Sequence, residues 1–87
     1  MFPFKEKVIE KQVVLRRFSQ DVSEDKLVWH RDREDRIIVA EEFTDWLIQF
    51  DNDLPQSLNE EVFIPKGVYH RIIKGSGNVT VKVVKMS

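Results

Sequence analysis

The sequence predicts an all-β chain, folded as a small antiparallel double sheet closed on itself as a short barrel. Runs rich in Val, Ile, Phe and Trp recur along the chain. Clusters of turn-forming residues separate them at intervals of about 8–12 residues, the rhythm of sandwiches and small barrels. Length sets the scale: 87 residues suit one domain, residues 1–87, which buries roughly two thirds of the surface its unfolded chain exposes.

Taken in order, Gln12–Phe18 reads as a strand and Ser19–Asp25 as a polar loop. Lys26–His30 reads as a second strand. Arg31–Arg36 is a run of six charges, after which Ile37–Ala40 begins a third strand. Trp46–Phe50 is a fourth, stopped by the turn formers Asp51-Asn52-Asp53-Leu54-Pro55. Glu61–Ile64 ends at Pro65-Lys66-Gly67, and Tyr69–Lys74 follows. Gly75-Ser76-Gly77-Asn78 is a tight turn whose glycines can take positive φ. Val79–Lys85 closes the chain with partial period-two alternation. The competing reading is a helix over Arg33–Gln49; Ile37-Ile38-Val39, Thr44 and Trp46 favour strand there.

Composition removes several functions. With 14 basic and 15 acidic residues the net charge is −1, whereas domains that neutralise nucleic-acid phosphates carry a basic excess. A basic strip from Arg16, Arg17, Lys82 and Lys85 would serve a nucleic-acid-binding small barrel, but the near-neutral charge argues against one, so no nucleic-acid partner is expected. No cysteine is present, which excludes disulfides, thiol catalysis and cysteine-ligated zinc. Any metal must use His, Asp, Glu or water. No segment has signal-peptide or membrane-spanning character, so a cytoplasmic protein with no membrane partner is expected. Eight of the nine aromatics are Phe or Trp, an apolar load that a homodimer interface would help to bury.

The most specific stretch is Asn59-Glu60-Glu61-Val62-Phe63-Ile64-Pro65-Lys66-Gly67-Val68-Tyr69-His70. It resembles the second conserved motif of the cupin superfamily: a glycine, five residues, Pro-x-Gly, two residues and a histidine. Pro65, Gly67 and His70 occupy those places. Asn59 replaces the leading glycine, and asparagine tolerates the left-handed turn conformation. Mechanically, Pro65 stops a strand, Gly67 lets the chain turn back, and His70 shares one face of the returning strand with Ile72, opposite Tyr69, Arg71 and Ile73.

The first cupin motif is more divergent. Val28 stands where that motif has its first histidine, His30 at the second, Asp35 at the glutamate, and Glu42 at the turn glycine. Together Trp29–Arg36 and Phe63–Arg71 resemble a group of very small cupin-like proteins of phage and marine microbial sequences. The resemblance spans residues 26–84 and implies a jelly-roll-like fold with both histidines at one mouth.

That resemblance implies a two-His-one-carboxylate face of His30, Asp35 and His70, with Glu34 as an alternative carboxylate. Such a set holds Fe, Mn, Zn or Ni as a divalent ion with open positions. Arg31, Arg33 or Arg36, with Arg71, suit an anionic small-molecule ligand. The plainer reading of Arg31–Arg36 is a solvated loop of mutually paired charges. Trp29, Trp46 and Tyr69 are either core and contact residues or a stacking wall for a ligand. Asp51-Asn52-Asp53 lacks the alternate spacing of a calcium loop. The alternative function is a metal-free binding or protein-interaction module without enzymatic activity.

Overall fold

In the computed structural model, which describes residues 2–86, eight strands form two antiparallel sheets. They are β1 (Lys5–Glu10), β2 (Val13–Phe18), β3 (Asp35–Ala40), β4 (Leu47–Phe50), β5 (Gln56–Ser57), β6 (Val62–Ile64), β7 (His70–Ile73) and β8 (Val79–Met86). One sheet runs β1-β2-β8-β3-β6 and the other β5-β4-β7. Among the described residues the ladders do not run on into a single closed barrel; an isolated bridge from His30 to β7 lies outside the strands.

Period-two alternation explains which face of each strand is buried. On β8, Val79, Val81 and Val83 are buried while Thr80, Lys82 and Val84 are less so. Across the ladder, Val14 faces Val83, Phe18 faces Val79, and Ile38 meets both Val83 and Val62. The smaller sheet contributes Ile48 and Ile72, a directly opposed pair. Together with Trp46 and Leu58 these residues form one core between the two sheets. Three inward positions break the apolar pattern: Arg16 between Val14 and Phe18, Arg36 two residues before Ile38, and His70 two before Ile72.

Several expectations need correction. Lys26–His30 is not a strand. Glu24–Lys26 is a short 3-10 helix, and only His30 beyond it makes a β-bridge, because the polar, acidic lead-in turns the chain before it can pair. β1 was not foreseen, since its Lys-Glu-Lys start alternates charges instead of burying a face; all six of its residues are exposed. β5 is only two residues long, too short for a pattern. Among described non-glycine residues, positive φ falls on Gln12 (74°) and Asn52 (62°), not on Asn59. Asn59 instead binds the Thr44 backbone twice, accepting from Thr44 N–H and donating to Thr44 C=O, each at 2.9 Å. The segment 37–50 is β3, a connection and β4, without helix.

The Gly75–Asn78 turn is fastened to the core from two sides. The Asp45 carboxylate accepts from the Ser76 N–H and hydroxyl, each at 2.8 Å, and those bonds hold its pKa below the ordinary carboxylate value. Trp46, fully buried, donates its indole N–H to the Ser76 and Gly77 carbonyls at 3.2 and 3.1 Å. Only Gly77 takes positive φ here, at 68°. Gly75 is needed for a different reason: a Cβ there would lie 2.7 Å from the Trp46 backbone nitrogen. Gly75→Ala is therefore expected to destabilise the fold by about 1–3 kcal/mol, the usual cost of overpacking against backbone. Denaturant unfolding with an unchanged m-value would register it.

Candidate functional site

The Pro-x-Gly turn builds the site. Pro65 follows the last residue of β6, and Gly67 adopts φ 78°, a conformation that β-carbon-bearing residues resist. The returning strand then buries His70 and Ile72, as alternation requires, and leaves Arg71 and Ile73 half-buried on the other face. On its free edge His70 exchanges two backbone hydrogen bonds with His30, N–H to C=O in each direction at 2.9 Å. Residues paired this way in an antiparallel bridge project their side chains to the same face. The two imidazole centroids accordingly lie 4.3 Å apart.

Flanking residues brace the bridge from outside. Trp29 stands opposite Arg71 and Arg31 opposite Tyr69. The Arg71 guanidinium lies 4.7 Å from the Trp29 ring centroid, and that of Arg31 lies 5.2 Å from the Tyr69 centroid. Each such contact at an exposed site contributes about 0.5–1 kcal/mol. Arg71 also donates twice to Gln49 Oε1, at 3.1 and 2.9 Å, tying the brace to β4.

Asp32 completes the group. Two residues beyond His30, it falls on the same side of an extended chain. The turn fixes its loop: Gly67 N–H donates to Asp32 C=O at 2.9 Å, and Lys66 N–H donates to Asp35 Oδ1 at 2.8 Å. One donor atom from each of His30, Asp32 and His70 lies within 4.8 Å of the others. The carboxylate beside the imidazoles is thus Asp32, while Asp35 is bound to the turn.

Hydrogen bonding orients both rings. His30 Nδ1 is 3.0 Å from Val28 C=O, and His70 Nδ1 is 2.9 Å from Val68 C=O. A carbonyl only accepts, so each Nδ1 carries a proton and each Nε2 is left for another partner. His70 Nε2 lies 3.4 Å from Asp32 Oδ2, which is buried and has no hydrogen-bond partner. The His70 pKa is lowered from the ordinary imidazole value, chiefly by burial and further by His30 and Arg36, against opposing effects of the Val68 carbonyl and Asp32. With His70 neutral, its lone pair and the Asp32 carboxylate face one another across that gap.

These groups open onto a cavity of about 400 Å³. Its walls are mainly apolar, from Ile38, Ile48, Ile64, Ile72, Val81 and Val83, with Phe2, Pro3 and Phe4 closing one side. Phe4 stacks on Phe2 and lies tilted against Phe18, with centroids 5.5 and 5.3 Å apart, and the Arg16 guanidinium lies 4.4 Å from the Phe4 ring centroid. Arg36 lines the cavity and pairs with Asp32 at 3.4 Å and with Glu34 at 3.1 Å.

The anticipated site residues therefore separate into groups. His30, His70 and Arg36 meet at the cavity; Glu34 binds Arg36; Trp29, Tyr69 and Arg71 form the outer brace; Trp46 sits in the core with its N–H bonded to the turn. Arg16 and Arg17 point to opposite faces of β2, which breaks the basic strip. Asp32 was missed although its two-residue offset from His30 marks it. Arg16 was legible as a charge in an inward register.

Similarity to solved structures follows this architecture. A cupin-2 domain-containing protein from Shewanella frigidimarina NCIMB 400 superposes with a TM-score of 0.63 at 20% identity, covering 95% of this chain and 80% of its own. The chain has the cupin fold. A structure of the DMSP lyases RdDddP and RnDddQII gives a TM-score of 0.69 at 14% identity, over 86% of this chain and 37% of the other. Fe(II)-HppE with substrate gives 0.67 at 12% identity, over 95% of this chain and 52% of the other. The present cupin fold thus spans about a third to a half of those two proteins. No family model matches the sequence, and no curated protein is similar to it by sequence. Among the described residues, no helix is long and apolar enough to cross a membrane.

The lowered His70 pKa has a signed consequence. The unfolded chain takes up this proton at the ordinary value of about 6.5, the folded chain only at lower pH. Between those values the unfolded state binds more protons, so stability falls as pH drops from about 6.5 toward the folded value and then levels off. Thermal melts in chelator across that range are expected to show the step, and His70→Gln to flatten it.

Proposed function

We propose that this chain is a small cupin-like binding domain whose cavity takes a small molecule beside a divalent metal held by His30, Asp32 and His70. The observation that carries the reading is the buried, unpartnered Asp32 Oδ2 facing the His70 Nε2 at 3.4 Å. Two acceptor atoms so placed repel each other, and burial without a partner costs about 1–3 kcal/mol. A cation removes both penalties. The separation also matches ligands that each lie about 2.1 Å from a shared tetrahedral centre.

The donor set of two imidazoles and one carboxylate suits Fe, Mn, Zn or Ni as the divalent ion, and the neutral state of His70 removes the need to displace its proton. When bound, such a metal would supply a Lewis acid beside the cavity. The chain itself provides the rest. The Val28 and Val68 carbonyls hold both rings in register, and comparable outer-shell contacts change metal affinity about 10–100-fold when lost. The mainly apolar walls offer a ligand few hydrogen-bonding groups besides those around the imidazoles. Fe(II) is the metal of HppE, and its chemistry stays with that protein.

Metal analysis after purification without chelator or nickel resin is expected to find close to one equivalent of transition metal. Cobalt titration followed by its visible absorption is expected to weaken at least about tenfold on Asp32→Asn or His70→Gln, and to change little on Asp35→Asn. Less than about a tenth of an equivalent, with no change in cobalt affinity on His70→Gln, would reject the metal.

A further inference from the structure

Period-two alternation gives each strand of the larger sheet an outer face, and in an antiparallel sheet with one solvated side that face is ordinarily polar. Here much of it is apolar. Val13 of β2, Val84 of β8, Ile37 of β3 and Phe63 of β6 stand in direct register across four strands. They point away from the core, because their neighbours Val14, Val83, Ile38, Val62 and Ile64 are the buried ones. In the next outward row Leu15 and Val39 flank Lys82, and in the row on the other side Met86 pairs with Asp35. Phe63 is 51% exposed and Met86 43%, and the aliphatic members are half-buried.

Four strands about 4.8 Å apart and three rows about 6.8 Å apart make this face roughly 19 by 20 Å. Contiguous apolar patches above a few hundred Å² are rare on monomers and mark docking sites. With side-chain relief, two such faces bury about 1,000 Å² in total, the lower bound for a specific interface. The charge at the centre of the face is Lys82, set between Leu15 and Val39. Among the described residues Lys82 forms no ion pair, and neither does Asp35 at the border. Asp35 Oδ1 accepts the Lys66 N–H, and its charge is otherwise unanswered within the chain.

We infer that this face docks on the same face of a second copy of the chain. A two-fold axis lying along the Val13-Val84-Ile37-Phe63 row sets each of these residues against its own equivalent, as an isologous contact requires. The same axis lays the Leu15-Lys82-Val39 row of one copy over the Met86-Asp35 row of the other. Lys82 then faces Met86 of the second copy, with Asp35 of that copy one strand further, about 5 Å along the sheet. The lysine gains the acid it lacks in its own chain, and symmetry makes the pair twice. Sheets stacked in this way lie about 10 Å apart with strands within about 30° of alignment, and a lysine stem crosses such a gap while covering apolar surface. The cavity lies on the opposite side of these strands, so the docking needs neither metal nor ligand.

Sedimentation equilibrium of the 87-residue chain, in chelator, is the test. The expected result is a reversible monomer–dimer equilibrium with a Kd between about 1 and 100 µM, as suits an interface of this size. Dilution across that range, followed by methyl NMR, is expected to move the Val13, Ile37 and Val84 resonances and to leave those of Ile48 and Ile72 in place. Val84→Glu is expected to weaken the dimer at least about tenfold, and Phe63→Glu, at a half-exposed position, covers the case in which that variant fails to fold. Lys82→Glu is expected to weaken it about fivefold at low ionic strength and less in about 0.5 M salt. A monomer up to about 1 mM overturns the inference and leaves the face to a different protein. A dimer whose dilution shifts fall on Val8 and Ile9 of β1 overturns it in favour of edge pairing. Growth past the dimer, or a dimer indifferent to both glutamate variants, overturns it as well.

Discussion

The two backbone hydrogen bonds between His30 and His70 are the constraint on which the site depends. They join a loop residue to the open edge of β7 and make two imidazoles forty residues apart direct cross-strand neighbours. Once that pair forms, strand geometry dictates the rest: the rings share an inner face, Asp32 follows on the same side, and Trp29, Arg31, Tyr69 and Arg71 fall outside. Backbone pairing does what side-chain contacts alone achieve poorly. It sets the ring separation without asking either imidazole to use its Nε2.

A second layer of control comes from the Pro65-Lys66-Gly67 turn. It ends β6, reverses the chain toward His70, and uses the Lys66 and Gly67 N–H groups to hold the 32–35 loop. One short turn thereby aims a histidine in one direction and anchors the segment bearing the carboxylate in the other. Arg36, one residue into β3, then carries the loop into the core with its guanidinium shared between Asp32 and Glu34. The six-residue charge run is consequently neither a free loop nor a uniform anionic-ligand patch; each residue's role follows from its register.

Much of this was legible in the residue pattern. Strands β2, β3, β4, β6, β7 and β8 each carry β-branched or aromatic residues bounded by turn formers, and the alternation that pairs His70 with Ile72 appears in the structure. What escaped did so for local physical reasons. β1 buries no face of its own, so period-two analysis has nothing to detect there. Lys26–His30 has strand-like composition, but the preceding acidic turn leaves only His30 paired. Family spacing pointed to Asp35 because it counts along the chain. Counting by strand parity from His30 leads to Asp32, whose approach to His70 depends on long-range hydrogen bonds that spacing does not encode. Asn59 shows the same limit: its side chain, rather than a left-handed backbone, replaces what the motif glycine supplies.

The cavity wall formed by Phe2, Pro3 and Phe4 stands just ahead of β1, an edge strand that pairs only with β2 and exposes all of its residues. Elements with so little buried surface open at free energies well below that of the whole fold. One flank of the cavity thus rests on the most weakly anchored ribbon of the larger sheet, while its other walls belong to the packed core between the sheets.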